Sequence, residues 1–163
     1  DTGIGDVFIR FRYIVPLGST ALGATSFGVA AEAVLPTASR STLGTGAYQA
    51  NVSALVVQAW SPTLITAFVA KAAQSIDTLP GRAPVQENTV RIVQAFILPR
   101  GMFAVLDAKY NWETVNRRDV WWEGAIEVGM MLNAQTSASM SFSRKWGDRR
   151  DLGAVTLGVK RFF

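Results

Sequence analysis

The chain of 163 residues contains no histidine and no cysteine. Lacking histidine, it has no Ser-His or Asp-His pair, no ordinary general base near neutral pH and no imidazole to hold a metal. Lacking cysteine, it has no disulfide and no thiolate, a pattern that suits a cell-surface protein. Long apolar runs are missing too. The most apolar stretch, residues 27–35, carries Glu32 at its centre and is far shorter than the roughly 20 residues a membrane helix needs. A basic cluster is also absent. Sixteen Lys and Arg against twelve Asp and Glu give a net charge of +4, but the cations are scattered, which argues against nucleic acid as a partner. No metal-ligand cluster occurs, no nucleotide loop occurs (a strand, not a helix, follows Gly3-Ile-Gly5), and no cofactor is expected.

What the chain does have is alternation. It is 49% apolar without any long apolar run, as happens when lipid-facing and interior residues take turns along strands. Val7, Ile9, Phe11, Tyr13 and Val15 alternate with Phe8, Arg10, Arg12 and Ile14 before Pro16 and a Gly18-Ser19 turn. Two arginines on one side of a strand do not suit a dry core, because an unpaired buried charge is expensive. In residues 24–35, Phe27, Val29, Ala31, Ala33 and Leu35 alternate with Ser26, Gly28, Ala30 and Glu32, and Glu32 is a natural partner for Arg10 or Arg12. Further segments follow at about 48–60, 64–75, 89–98 and 103–113. The last of these sets Asp107, Lys109, Asn111 and Glu113 against Leu106, Ala108, Tyr110 and Trp112. A seventh segment carries Glu123 and Glu127 opposite Trp122, Ile126, Val128 and Met130; an eighth alternates Ser137, Ser139, Ser141 and Ser143 with Ala138, Met140 and Phe142. After a loop at 146–151, the ninth runs to Phe163.

Nine amphipathic segments in one domain, residues 1–163, predict an all-β fold: an antiparallel transmembrane β-barrel or, from the alternation alone, a soluble sheet with its apolar face turned inward. Two features favour the barrel. Connections after the first, third, fifth and seventh segments are tight, and the others are longer or more polar, which matches short periplasmic turns and long extracellular loops. Tyr13, Tyr48, Trp60, Tyr110, Trp112, Trp121, Trp122, Trp146 and Phe163 also fall near strand ends, where interfacial aromatic girdles sit. In this reading Arg10, Arg12, Glu32, Lys71, Asp107, Lys109, Glu113, Glu123, Glu127 and Lys160 line the lumen. Whether they line an aqueous channel or plug it by pairing stays open. Glu123 and Glu127 stand some 13 Å apart at about 3.3 Å per residue, too far for a pair of glycosidase carboxylates, so no catalytic residue is expected. Arg40, Arg82, Arg117, Arg118, Arg149 and Arg150 fall in the long loops. There they are either lipopolysaccharide-phosphate ligands or solvated loop charge.

The last segment, an amphipathic strand ending on Phe163, resembles the C-terminal assembly signal of Gram-negative outer-membrane barrels, though Arg161 stands where an apolar residue or Tyr is usual. Three more motifs extend the likeness: Thr2-Gly-Ile-Gly-Asp-Val7 before the first strand, Leu35-Pro36-Thr37 closing the second, and Leu43-Gly-Thr-Gly46 opening the third. These resemble the outer-membrane family of meta-pathway phenol-degradation proteins, with Ala38 where that family usually has Gly. The resemblance implies a twelve-stranded barrel that passes small, hydrophobic compounds. It also implies outer-membrane lipid, lipopolysaccharide and the barrel-assembly machinery as partners. A downward-running ninth strand puts Asp1 on the extracellular side, so an odd number of strands, three by the family's pattern, is expected before it. Two functions are carried forward: passive, porin-like passage of small molecules, and a non-conducting barrel that anchors a surface assembly, a partner protein or a second copy.

Overall fold

The computed structural model describes residues 5–39, 44–115 and 118–161. They form one sheet of nine strands in sequential order, every neighbouring pair antiparallel. The strands are β1 (Val7–Thr20), β2 (Gly23–Leu35), β3 (Ala47–Ser61), β4 (Leu64–Thr78), β5 (Gln86–Ile97), β6 (Met102–Glu113), β7 (Val120–Asn133), β8 (Thr136–Gly147) and β9 (Ala154–Arg161). A 3₁₀ turn at Pro99–Gly101 joins β5 to β6. Among the described residues the outer edges of β1 and β9 have no strand partner, so the sheet is open.

The expected alternation of tight and long connections is present: the odd-numbered strands lead into tight turns and the even-numbered ones into longer links. Several boundaries differ, with β4 running on to Thr78 and β5 beginning at Gln86. Pro16 does not end the first strand, because the ladder shifts register between Pro16 and Gly18 and β1 runs on to Thr20. A bulge on an edge strand tolerates a residue that has no N–H to give. Trp146 also belongs to β8 and not to the loop after it.

Register slides steadily across the sheet. The last β2–β3 pair at the long-connection end is Val34–Gln49, whereas β8 and β9 stop pairing at Ser143–Ala154, far lower along the row. A consistent stagger of this kind is what a sheet needs in order to curl.

The two faces are unequal in an unusual sense, because the polar face is the more buried one. In β3, Gln49 and Asn51 are 7% and 4% exposed, while Val52 and Trp60 on the opposite face are 59% and 47% exposed. Among the described residues, the buried apolar set is only Ala47, Ala73 and Trp121. The chain exposes 10932 Å², where a compact monomer of its mass exposes about 7,900 Å². The sheet therefore leaves a broad apolar surface with nothing packed on it.

Candidate functional site

The charged face is where side chains of different strands converge. Antiparallel register sets Arg10 opposite Glu32, and Glu32 opposite Asn51. Glu32 accepts from Arg10, from Asn51 Nδ2 at 2.7 Å and from Lys71 Nζ at 3.4 Å, so one carboxylate serves two cations. Arg91 forks onto Asp107 with bonds of 2.8 and 2.6 Å, and Lys109 reaches Glu123 at 2.5 Å. Thr89 donates to Asn111 Oδ1 at 2.8 Å between two directly opposed residues. Arg12 lies on the same face with no carboxylate partner among the described residues. Towards the tight-turn end the same face becomes apolar, through Leu55, Val57, Val69, Val93 and Val105. Ile14 and Leu55 come together over Gly28.

Arg149 is turned inward from the β8–β9 link. Its guanidinium contacts Glu113 at 2.8 Å, Asp119 at 3.2 Å and Glu87 at 3.7 Å, and stacks 4.1 Å from the Trp121 ring centroid. Asp148 accepts from the Val120 amide at 2.7 Å, and Asp151 from the amides of Lys145 and Gly153. The link is thus tied across the end of the charged face. Trp121, expected near an interface, faces this network and is 4% exposed.

A second knot lies at the start of β1. The Asp6 carboxylate accepts from the Ala38 amide at 3.2 Å, and from the amide and hydroxyl of Thr45 at 2.7 and 3.0 Å. Thr37 Oγ1 accepts from the Val7 amide at 2.9 Å, and Gln49 donates to Thr45 Oγ1 at 2.9 Å. A Cβ on Gly44 would stand 2.3 Å from Asp6 Oδ1, so only glycine lets the loop close this tightly. The three short motifs of the sequence therefore meet in one knot at the start of β1.

On the apolar face, Asp77 and Arg144 are the charged strand residues among those whose side chains are described, Arg144 lying 6.0 Å from the Trp146 ring centroid. Polar groups on this face satisfy one another. Gln58 donates to the Leu22 carbonyl at 2.9 Å and accepts from Thr25 at 2.6 Å; Thr66 accepts from Trp60 Nε1 and donates to Gln94 Oε1, both at 2.8 Å; and Gln94 donates to the Ile65 carbonyl at 3.1 Å. Near the long-connection end, Tyr110 packs against Trp122 and Trp112, with centroids 4.6 and 5.6 Å apart.

Of the residues expected to line a lumen, Arg10, Glu32, Lys71, Asp107, Lys109, Glu113 and Glu123 enter these ion pairs. Glu127 faces the same side, opposite Val105 and Ser141. Among the loop arginines, Arg149 is paired as described, Arg82 packs on Gly46, Arg118 adopts a left-handed φ of 58°, and Arg150 lies beside Asp151 in the β8–β9 link. The Lys160 side chain, Arg40, Arg117 and Phe163 lie outside the described residues. Sequence reading passed over Glu87, Arg91, Lys145 and Asp119. The first three would have followed from carrying the alternation through β5 and β8, whereas Asp119 needed the fold. Among the described residues no group of three or more acidic side chains is placed to hold a metal.

No family model, curated protein or solved structure matches this chain.

Proposed function

We propose that this chain forms the wall of an outer-membrane β-barrel, with its apolar face on lipid and its charged face on the lumen, and that the barrel passes small molecules. The observation that carries this reading is the inverted burial: exposed valines, isoleucines and aromatics on one side, and half-buried, paired charges with buried amides on the other. The bonds of Thr25 with Gln58, and of Thr66 with Trp60 and Gln94, support it, because polar groups facing hydrocarbon must find partners within the protein. The stagger of the register and the Tyr110–Trp122 cluster suit a tilted wall with an interfacial girdle. The knot formed at Asp6 by the three short motifs supports membership in the meta-pathway phenol-degradation family and its twelve-stranded architecture.

Closure follows from direction. β1 and β9 are both odd-numbered in an antiparallel meander and so run the same way. Antiparallel closure takes an odd number of further strands between them, and three complete a twelve-stranded barrel. In this orientation Arg82, Arg118 and Arg150 lie at the extracellular end, within reach of lipopolysaccharide phosphates. One observation favours the second reading, a plugged barrel that anchors a partner: Arg149 ties the β8–β9 link over the charged face.

The test is whole-cell labelling with an impermeant thiol reagent. A cysteine at Thr114 is expected to react on intact cells, and one at Ser61 only after permeabilisation. The reverse pattern overturns the orientation. Equal labelling of a chain found in the soluble fraction overturns the membrane reading. Discrete conductance steps in planar bilayers support passage, and their absence from an inserted barrel supports the plug.

A further inference from the structure

The charged face contains a hollow of about 320 Å³ between β1 and β5. One side is made by Arg10, Arg12, Lys71 and Glu32; the floor is apolar, with Leu55, Val57, Val69 and Val93 among its lining residues. We propose that this hollow binds an organic anion with a short unbranched apolar body, a six- to eight-carbon carboxylate being the simplest example. The inference deepens the reading above, and rests on it, by naming the solute class the charged face selects.

Charge is the first argument. Three cations surround one carboxylate, since Arg10 and Lys71 share Glu32 and Arg12 has no carboxylate partner among the described residues. Arg91 also borders the hollow but is neutralised by its fork onto Asp107. Two positive charges are left over in a concavity, and their field favours an incoming anion. The Lys71–Glu32 separation of 3.4 Å is long for a charge-assisted bond, so the ammonium gives up little in turning to a ligand. Ser53 stands in register between Ala30 and Lys71, and Ala30 stands opposite Arg12. Its hydroxyl is a third donor on the same row.

Shape is the second argument. Chloride or phosphate would satisfy the cations and leave the floor wet, and a neutral alcohol would cover the floor and leave the cations unpaired. A carboxylate with a short chain does both. Each methylene laid on the floor is expected to tighten binding about fourfold until the floor is covered.

The experiment is calorimetric titration of the full chain in lipid nanodiscs with butanoate, hexanoate, octanoate and hexan-1-ol, with empty nanodiscs subtracted. Expected are a fourfold gain per methylene, at least tenfold weaker hexanoate binding to R12Q/K71Q, unchanged binding to the turn variant R100Q, and no saturable binding of hexanol. Wild-type binding should also weaken in 1 M chloride, a readout that does not depend on whether the double variant folds. Absence of hexanoate binding, indifference to chain length, equal binding of hexanol, or full affinity in R12Q/K71Q overturns the proposal. Because β1–β5 alone form the hollow, the titration decides the matter whether or not the chain inserts. Insertion is read separately, from the heat-dependent electrophoretic shift of the same sample.

Discussion

An arginine placed at Val128 separates a lipid-facing sheet from one that faces water. Val128 lies on the apolar face of β7, 46% exposed, five residues before the end of the strand at Asn133. At about 3.3 Å per residue and a tilt of about 40°, that lifts it roughly 12–13 Å above the turn, near the middle of an apolar band about 25 Å tall. Arginine at that depth is expected to cost about 2–4 kcal/mol, which is about 30- to 700-fold in the unfolding equilibrium. The same change on a water-facing strand, at a side chain already half exposed, stays within about 0.5 kcal/mol. The control is Ser141→Arg, on the charged face directly opposite Glu127, where a new cation gains a cross-strand partner. Urea unfolding in phospholipid vesicles, followed by tryptophan fluorescence, measures both. Equal shifts in the two variants, or a shift below about 0.5 kcal/mol for Val128→Arg, would refute the assignment of faces.

Three further outcomes follow from particular contacts. Asp6→Ala removes an ionised acceptor of three bonds and is expected to cost about 1.5–3 kcal/mol, with faster proteolysis between residues 36 and 46. Arg149→Gln should make the 148–153 link protease-sensitive at low salt. Because that ion network is partly exposed, the wild type in about 1 M salt should approach the variant; a wild-type link that stays protected at high salt would count against an electrostatic tie. Gly129→Ala places a Cβ 2.4 Å from Phe103 Cζ and 2.6 Å from the Ala138 carbonyl. Overpacking of this kind costs about 1–3 kcal/mol, and a double-mutant cycle with Phe103→Leu should recover the part due to the ring but not the part due to the backbone.

The strands, their number and their two faces were legible because period-two alternation is a property of adjacent residues. What could not be read depends on register, which joins residues far apart in sequence. Arg149 reads from sequence as either a lipopolysaccharide-phosphate ligand or a solvated loop charge, and the fold sets Glu87, Glu113 and Asp119 around it. At Gly129 a ring from β6 and a carbonyl from β8 fill the space a side chain would need, which alternation along β7 alone does not reveal. The motifs holding Asp6, Thr37 and Thr45 lie far apart in sequence, and only the pairing of β1 with β2 and of β2 with β3 brings them together, with Ala38 and Thr45 donating to the Asp6 carboxylate and the Val7 amide donating to Thr37. Pro16 reads as a terminator because a missing N–H usually stops a ladder, but the register shift beside it lets β1 run on to Thr20.

The backbone ladder of each strand joins only its neighbours in the chain, from β1 through β9. In such an arrangement the register of one hairpin does not set the register of a distant one. In the barrel proposed above, the arrangement also makes circumference an inheritable variable. A hairpin copied or lost between two long connections would change the girth by two strands and leave every remaining ladder antiparallel. Natural variation in such a wall can therefore proceed by counting, with residues on the charged face retuned afterwards to suit the wider or narrower ring.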